Sequence, residues 1–205
     1  MKRIIKDEVP LFWSEFVKDH PNDNYERLDE TEEGKEVRNE IRKHMLINQK
    51  YICCYCCKSV DEQNSHNEHI KPRSRYPKLS MDYNNIIASC KGNTCGEKKD
   101  RLYDETLFVS PLREDCENHF RYLQNGEIKG VTDEGRYTID LLNLNEEYLR
   151  KSRESLFKQC LEMGKYLGKE YIEAEYINEK NGKLPRFCDM VRFFMNEGLF
   201  DICFD

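Results

Sequence analysis

Residues 51–60 read YICCYCCKSV and place four cysteines within five positions, around a single tyrosine. Cys53 with Cys56, and Cys54 with Cys57, form two overlapping C-x-x-C frames. Such closely spaced pairs are typical of three kinds of site: a disulfide framework, a redox dithiol or a zinc knuckle. Each would put the protein in a different class, so the remainder of the chain has to discriminate between them.

The composition argues against the disulfide framework. The 205 residues are 38% hydrophobic and 35% charged, which is typical of a polar globular protein. No apolar run approaches the roughly 20 residues that cross a bilayer. The start, MKRIIKDEVPLFW, interrupts its apolar residues with charges, which predicts no secretory signal. We therefore expect a cytoplasmic protein without a membrane span, whose ten cysteines are thiols or metal ligands.

The second cysteine pair favours zinc over redox chemistry. A redox dithiol requires C-x-x-C at a helix start in a βαβ pattern, and the residues after Cys57 show no such unit. A closed zinc site needs four ligands in a tetrahedron. Cys90 and Cys95 supply a second pair, in a C-x4-C loop that Gly92 and Asn93 allow to turn. The other cysteines are isolated: Cys116, Cys160, Cys188 and Cys203.

The segment between the two pairs is long and locally basic. It has 33 residues, against roughly 15 to 20 in common zinc ribbons, and it contains His66, Glu68 and His69. The formal net charge of the chain is -6, yet residues 66–101 carry eight Lys or Arg against four acids. A local basic face of this kind favours phosphate contact, and a solvated surface is the equally simple alternative.

The motifs taken together resemble the HNH endonucleases of the ββα-metal type, which have a zinc-stapled core. A C-x-Y-C pair is followed by E-H-I-K-P, then by N-I, then by a second cysteine pair and K-K. The matching residues are Cys53, Tyr55, Cys56, Glu68, His69, Pro72, Asn85, Ile86, Cys90, Cys95 and Lys99. Two later stretches, NHFRYLQNGEIKG and GRYTIDLLNLNEEYLRKSR, are similar to the PtuB-like HNH proteins, which accompany an ATPase in Septu and retron-type antiphage systems. The resemblance covers about residues 50–155.

The resemblance implies an α+β fold with a ββα-metal core. We expect the nuclease core at residues 50–105, between an N-terminal helical flank at residues 1–49 and a mainly helical region with a hairpin near 120–130 at residues 106–205. It implies a structural zinc ion held by Cys53, Cys56, Cys90 and Cys95. Cys54 and Cys57 would then be bystanders.

The resemblance also implies the catalytic residues. His69 is the expected general base, a role that suits the one side chain whose ordinary pKa lies near neutrality. Glu68 is the expected ligand of a catalytic Mg²⁺ or Mn²⁺ ion, Asp100 a second ligand, and His66 a further ligand or a phosphate contact. Asn85 would support the loop that carries the base; without the motif it would be a turn residue. Nucleic-acid contacts are expected from Lys71, Arg73, Arg75, Lys98 and Lys99.

Apolar spacing predicts the flanking helices. One helix is expected over residues 35–49, a long one from Asn145 with Asn145 or Asn143 as its cap, and a last one near Pro185. The apolar stripe of this last helix could belong to the core or could cover the ATPase partner that the resemblance implies. It comprises Phe187, Val191, Phe194 and Met195.

These observations support one leading hypothesis and one alternative. The leading hypothesis is a metal-dependent endonuclease that hydrolyses DNA as the effector of an antiphage system, with a PtuA-like ATPase as partner. The alternative is a non-catalytic zinc knuckle that binds nucleic acid or protein and has no use for the Glu68 and His69 pair. A thiol-redox protein is a third interpretation, which a tightly held zinc ion would exclude.

Overall fold

Helices and two small antiparallel sheets make up the described part of the chain. The computed structural model describes residues 1–92, 94–99 and 102–201, without the side chains of Glu97 and Lys98. The helices are α1 (Leu11–Asp19), α2 (Glu32–Asn48), α3 (Gly96–Lys99), α4 (Asp133–Leu142), α5 (Glu147–Leu167), α6 (Lys169–Tyr176) and α7 (Cys188–Asn196). The strands are β1 (Ser65–His69), β2 (Ile86–Cys90), β3 (Phe120–Tyr122) and β4 (Ile128–Gly130). The predicted α+β class is confirmed.

Helix α2 leads from the N-terminal flank into the cysteine knuckle. Thr31 caps it by accepting a hydrogen bond from the Gly34 amide at 3.0 Å, which explains why the helix begins before residue 35. Its buried face contains Ile41, Met45 and Leu46. At its end, the Gln49 side chain donates to the Ala88 carbonyl at 2.8 Å and accepts from the Ala88 amide at 2.7 Å. The helix is therefore fastened directly to strand β2.

Strands β1 and β2 pair antiparallel, and helix α3 follows them. The register places Ser65 opposite Cys90 and His69 opposite Ile86. Every residue of β2 is buried, whereas β1 leaves His66 and Asn67 partly exposed. The middle of β1 is therefore partly open to solvent, directly before the buried Glu68 and His69.

A hairpin and four helices follow. Strands β3 and β4 pair as the hairpin predicted near 120–130, and Gly126 in its turn has φ +79. Helix α5 begins two residues after Asn145, and Glu146 caps it in place of the expected asparagine. The Asn145 amide is already engaged with the backbone of Ile128 on β4, to whose amide and carbonyl it bonds at 2.8 Å each. That contact leaves Asn145 unable to cap the helix.

The last helix packs inside the protein. Residues Phe187, Val191, Phe194 and Met195 are between 1% and 9% exposed, so of the two alternatives for this apolar stripe the structure supports the core. The Phe187 amide donates to the Cys57 carbonyl at 2.7 Å, which ties the start of α7 to the knuckle. Among the residues that the structure describes, no helix is long and apolar enough to span a bilayer.

Candidate active site and metal centre

Four cysteine sulfurs from two distant segments converge. One ligand atom from each of Cys53, Cys56, Cys90 and Cys95 lies within 4.8 Å of the others, and all four residues are buried. The Sγ atoms of Cys56 and Cys90 are 3.8 Å apart, close to the edge of a zinc tetrathiolate with bonds of about 2.3 Å. The cluster that the sequence predicted is therefore present, and its donor set suits a metal ion.

Backbone hydrogen bonds hold the cluster in shape. The Cys53 amide donates to the Lys58 carbonyl at 2.8 Å, which closes the first loop, and Cys57 takes a left-handed φ of 58. The Cys90 amide donates to the Cys53 sulfur at 3.3 Å. The Cys95 amide donates to the Leu142 carbonyl at 2.8 Å, so the second loop is fastened to α4. Main-chain contacts thus shape both cysteine loops, and the Ser89 hydroxyl adds a contact to the Cys53 sulfur at 3.6 Å.

The buried thiols of the two cysteine frames have shifted pKa values. Burial raises the pKa of Cys54 and of Cys57 well above the usual value. Within the four-cysteine cluster, hydrogen bonds between the thiols outweigh burial at Cys53 and hold its pKa well below the usual value, whereas they raise the pKa of Cys56 and of Cys95 well above it. The thiolate that a metal needs is therefore favoured at Cys53.

Glu68 is the centre of a second cluster, on strand β1. Its Oε1 atom lies 2.6 Å from the Lys99 ammonium and accepts a hydrogen bond from the Tyr55 hydroxyl at 3.0 Å. Its Oε2 atom lies 3.5 Å from Nε2 of His66. Oε1 thus contacts Lys99 and Tyr55, and Oε2 faces His66. Alternation along the strand puts both side chains on one face.

The same contacts keep Glu68 ionised. Burial by itself would raise its pKa, but the Lys99 charge and hydrogen bonds from His66 and Lys99 lower it to about 2. Lys99 was expected to contact nucleic acid on the surface; instead it is 1% exposed, and its ammonium also donates to the carbonyls of His69 and Ile70. It acts as the counter-ion of Glu68.

Gly96 leaves space beside the free oxygen of Glu68. A Cβ atom on this residue would collide with Oε2 of Glu68 and lie 3.0 Å from Nε2 of His66. The first residue of α3 therefore has no side chain at the point where one would fill the gap between two potential metal ligands. Asp100, the predicted second ligand, lies outside the described residues.

His69 closes strand β1 and is held in one tautomer. Its Nε2 atom lies 2.9 Å from the Ser80 carbonyl, which can only accept, so Nε2 carries the proton and Nδ1 holds the lone pair. Its ring packs edge-on against Tyr25, with centroids 4.6 Å apart. Burial lowers the pKa of His69 to about 4, although the Ser80 contact opposes this shift. The imidazole is therefore neutral at neutral pH and able to accept a proton.

Asn85 fixes the loop between β1 and β2. Its side chain accepts from the Lys71 amide at 2.7 Å and donates to the carbonyls of Lys71 and Leu79 at 3.0 Å each. Leu79 directly precedes Ser80, the hydrogen-bond acceptor of His69. Asn85 therefore holds Leu79, and through it the next residue, Ser80, whose carbonyl contacts the His69 imidazole. This is a larger structural role than that of a turn residue.

The predicted basic residues are arranged unevenly. Arg73 lines a cavity of about 330 Å³ together with His66, Glu68 and His69. Lys71 pairs with Glu105, and Arg75 donates to the Tyr103 carbonyl, so both have protein partners. The side chain of Lys98 lies outside the described residues. Of this group, Arg73 and Lys99 line the cavity, and Lys99 is the buried counter-ion of Glu68.

Sequence reasoning did not assign roles to Tyr25, Tyr55 or Ser80. Tyr55 was noted only as part of a motif, although a tyrosine between two buried cysteines must find a partner for its hydroxyl. Tyr25 and Ser80 are separated from His69 by 44 and 11 residues, and no local pattern indicates either contact.

Comparisons with known proteins point in the same direction. A retron Vc95 protein of Vibrio cholerae serotype O1 biovar El Tor, named as an HNH endonuclease by provisional assignment, is 33% identical over 142 residues; the match covers 61% of this chain and 67% of that protein. The Septu protein PtuB of Bacillus thuringiensis is 30% identical over 96 residues, which is 46% of this chain and 37% of PtuB.

A third relative has a name like that of the first. The retron Ec83 protein of Escherichia coli, again provisionally named an HNH endonuclease, is 31% identical over 101 residues; the match covers 46% of this chain and 39% of the relative. The chain thus spans well under half the length of the second and third relatives. No protein-family model matches it.

Proposed function

Because the chain belongs to the HNH endonuclease family of retron and Septu antiphage systems, we propose that it hydrolyses DNA phosphodiester bonds with the help of a divalent cation. The observation that carries this proposal is the end of strand β1, where ionised Glu68 and neutral His69 line one cavity with Arg73. The succession of β1, β2 and α3 around this point supports a ββα-metal core.

Glu68 and His66 would hold the catalytic cation. Oε2 of Glu68 and Nε2 of His66 are 3.5 Å apart, and the absent side chain of Gly96 leaves room beside both atoms. A mixed oxygen and nitrogen pair suits Mn²⁺ better than Mg²⁺, which prefers oxygen ligands. A cation bound there would neutralise negative charge on the scissile phosphate and the leaving oxygen.

His69 would act as the general base. Its Nε2 proton is engaged by the Ser80 carbonyl, so the Nδ1 lone pair is the one that can take a proton from an attacking water molecule. Asn85 positions this arrangement by fixing the backbone on both sides of the loop. Arg73 is placed to hold a phosphate oxygen.

The four-cysteine cluster would hold a structural zinc ion. Four thiolates leave no coordination position for water, so the ion would stiffen the knuckle and leave the chemistry to the Glu68 cluster. Cys90 ends the strand that pairs with β1, and Cys95 directly precedes Gly96. Two cysteines of the cluster are thus next in the chain to elements at the catalytic cavity, namely the partner strand of β1 and helix α3.

An ATPase of the PtuA type would direct the nuclease. One relative is named Septu protein PtuB, which supports a partnership of this kind for the present chain. With the apolar stripe of α7 buried, the contact surface must lie elsewhere on the molecule.

Plasmid cleavage tests the proposal. Supercoiled DNA is incubated with Mg²⁺ or Mn²⁺ and with wild type, His69→Ala or His20→Ala, each with and without the candidate ATPase. Loss of a general base lowers the rate by about 10²–10⁴-fold, so His69→Ala should be nearly inactive while it retains zinc. His20, whose ring stacks on Phe16 in α1, is the matched control and should cleave normally.

Two results would contradict the proposal. Equal cleavage by wild type and His69→Ala would remove His69 from the mechanism. No cleavage by any protein with either metal, with or without the ATPase, would favour a non-catalytic zinc knuckle that binds nucleic acid or protein.

A further inference from the structure

A second cavity adjoins the catalytic one. It measures about 390 Å³ and shares His66, Asn67 and Arg73 with the first cavity. Its far wall is formed by helix α2, which contributes Arg38 and Arg42. Because these two arginines are four residues apart, they lie on one face of the helix and bring like charges together.

Three residues of this cavity have polar atoms that are buried and without a hydrogen-bond partner: Nε of Arg42, Nδ1 of His66 and Oδ1 of Asn67. The orientation of Asn67 is settled, since its amide nitrogen donates to the Arg38 carbonyl at 2.8 Å. Buried polar atoms rarely lack partners in folded proteins. The residues that line this cavity therefore have hydrogen-bonding capacity that the described protein atoms do not use.

The arginines of this cavity favour an anion, although Oδ1 of Asn67 can only accept a hydrogen bond. Arg42 offers an Nε–H donor, and among the described residues no carboxylate lies within ion-pair distance of its guanidinium. Arginine forks match phosphate oxygens in geometry and charge.

The guanidinium groups of Arg73 and Arg38 are paired with acidic side chains. Arg73 lies 2.9 Å from Glu26, and Arg38 pairs with Asp29, while both carboxylate side chains are 59% exposed. Exposed ion pairs contribute little free energy, so an incoming phosphate could replace either carboxylate at small cost. Glu26 and Asp29 therefore compete with an anion for the same cations.

We propose that this cavity binds the nucleic-acid phosphate next to the scissile one, with Arg42 and Arg38 as its principal donors. The inference rests on the proposed nuclease function. A nucleic-acid strand whose scissile phosphate binds at the Glu68 cluster would have its neighbouring phosphate near His66 and Arg73, which line both cavities. Helix α2, outside the predicted nuclease core, thus becomes part of the substrate site. Glu26 and Asp29 hold the arginines in the absence of substrate.

Salt-dependent DNA binding tests this inference. The His69→Ala protein with Mn²⁺ is titrated into fluorescein-labelled double-stranded DNA over a range of salt concentrations, and affinity is read by anisotropy. Each phosphate contact contributes about 0.9 to the slope of log Kobs against log salt for duplex DNA, and about 0.7 for single strands. Adding Arg42→Gln should weaken binding and reduce the slope by about one contact. Adding Glu26→Gln should strengthen binding.

Lys43→Gln is the matched control. Lys43 is the next residue on α2, its side chain is 55% exposed and it pairs with Glu62, so the same charge is removed outside the cavity. Its slope should equal that of the parent. Arg38→Gln repeats the test in case Arg42→Gln unfolds, which thermal unfolding of each variant reports.

The inference is overturned if Arg42→Gln and Arg38→Gln, both folded, keep the slope of Lys43→Gln. It is also overturned if the parent shows no salt-dependent binding to duplex or single-stranded DNA. Neither result decides whether His69→Ala loses cleavage, so the nuclease proposal is tested separately. A changed slope in a protein that never cleaves would leave the phosphate site in place and remove the nuclease activity.

Discussion

At the scale of single residues, Glu68 divides its two oxygens between the protein and the cavity. Oε1 is held by Lys99 and Tyr55, and Oε2 faces His66. The sequence could indicate Glu68 and His69 as a pair through their motif. It could not indicate that Lys99 is buried, since a lysine in a basic stretch has the same local pattern whether it faces solvent or a carboxylate 31 residues away.

Tyr55→Phe isolates the contribution of one hydroxyl to this arrangement. The change removes the hydrogen bond to Glu68 and a 3.2 Å contact with the Lys99 ammonium, while the ring stays in place. We expect a loss of about 1–2 kcal/mol in the free energy of unfolding. We also expect a 10- to 100-fold rise in the Mn²⁺ concentration that supports half-maximal cleavage, which is typical when a ligand loses its supporting contact.

The two measurements are urea denaturation and an Mn²⁺ titration of plasmid cleavage. Tyr148→Phe is the control, because that side chain is 62% exposed. An unchanged Mn²⁺ requirement in Tyr55→Phe would mean that Tyr55 only fills the core.

At the scale of elements, the close approach of α3 to β1 shapes the cavity beside Glu68. Helix spacing predicted α2, α5 and α7, because an apolar stripe is a local property of the chain. The cap of α5 was assigned wrongly because Asn145 is bonded to β4, a contact that depends on the hairpin. The start of α7 was placed near Pro185, whereas the helix begins at Cys188. Helix ends depend on neighbours more than helix centres do.

Gly96→Ala tests the contact between α3 and β1. The added methyl group would meet Oε2 of Glu68, so the helix must move or the carboxylate must turn away. We expect cleavage to fall at least tenfold while zinc content stays constant, since displacement of a catalytic group by about 1 Å has larger effects than that.

Gly164→Ala in α5 provides the comparison. Its methyl group would meet neighbouring side chains at 3.6 and 3.8 Å, which is ordinary contact. It should cleave normally and gain up to about 1 kcal/mol in the free energy of unfolding, since alanine is the better helix former. If Gly96→Ala cleaves as well as Gly164→Ala, the glycine is not required for the pocket.

At the scale of the whole molecule, the cysteine cluster connects regions that are distant in sequence. The Cys95 amide bonds to α4, and the Cys57 carbonyl accepts from the start of α7. The cluster itself could be predicted from spacing and resemblance. The burial of α7 could not, because an apolar stripe looks the same in sequence whether it packs against the core or against another protein.

Zinc removal should therefore destabilise far more than the knuckle. We expect the purified chain to contain one zinc ion, and Cys95→Ser to lose it along with cooperative thermal unfolding, because structural zinc sites contribute about 10–16 kcal/mol to folding. Cys54→Ala should keep its zinc and lose only packing, since Cys54 lies outside the four-cysteine cluster. Metal analysis and calorimetry of both variants provide the check. Zinc retained by Cys95→Ser, or lost by Cys54→Ala, would refute the assignment.

The long separation of the two cysteine pairs also affects the unfolded chain. An ion that joins Cys56 to Cys90 closes a loop that contains His66, Glu68, His69 and Asn85, the residues of the proposed active site. By the chain-entropy model used for cross-links, closing a loop of this length lowers the conformational entropy of the unfolded state. The effect stabilises the folded state by about 4 kcal/mol. The zinc ion would therefore lower the entropic cost of ordering the catalytic segment, although the ion would take no part in the hydrolysis.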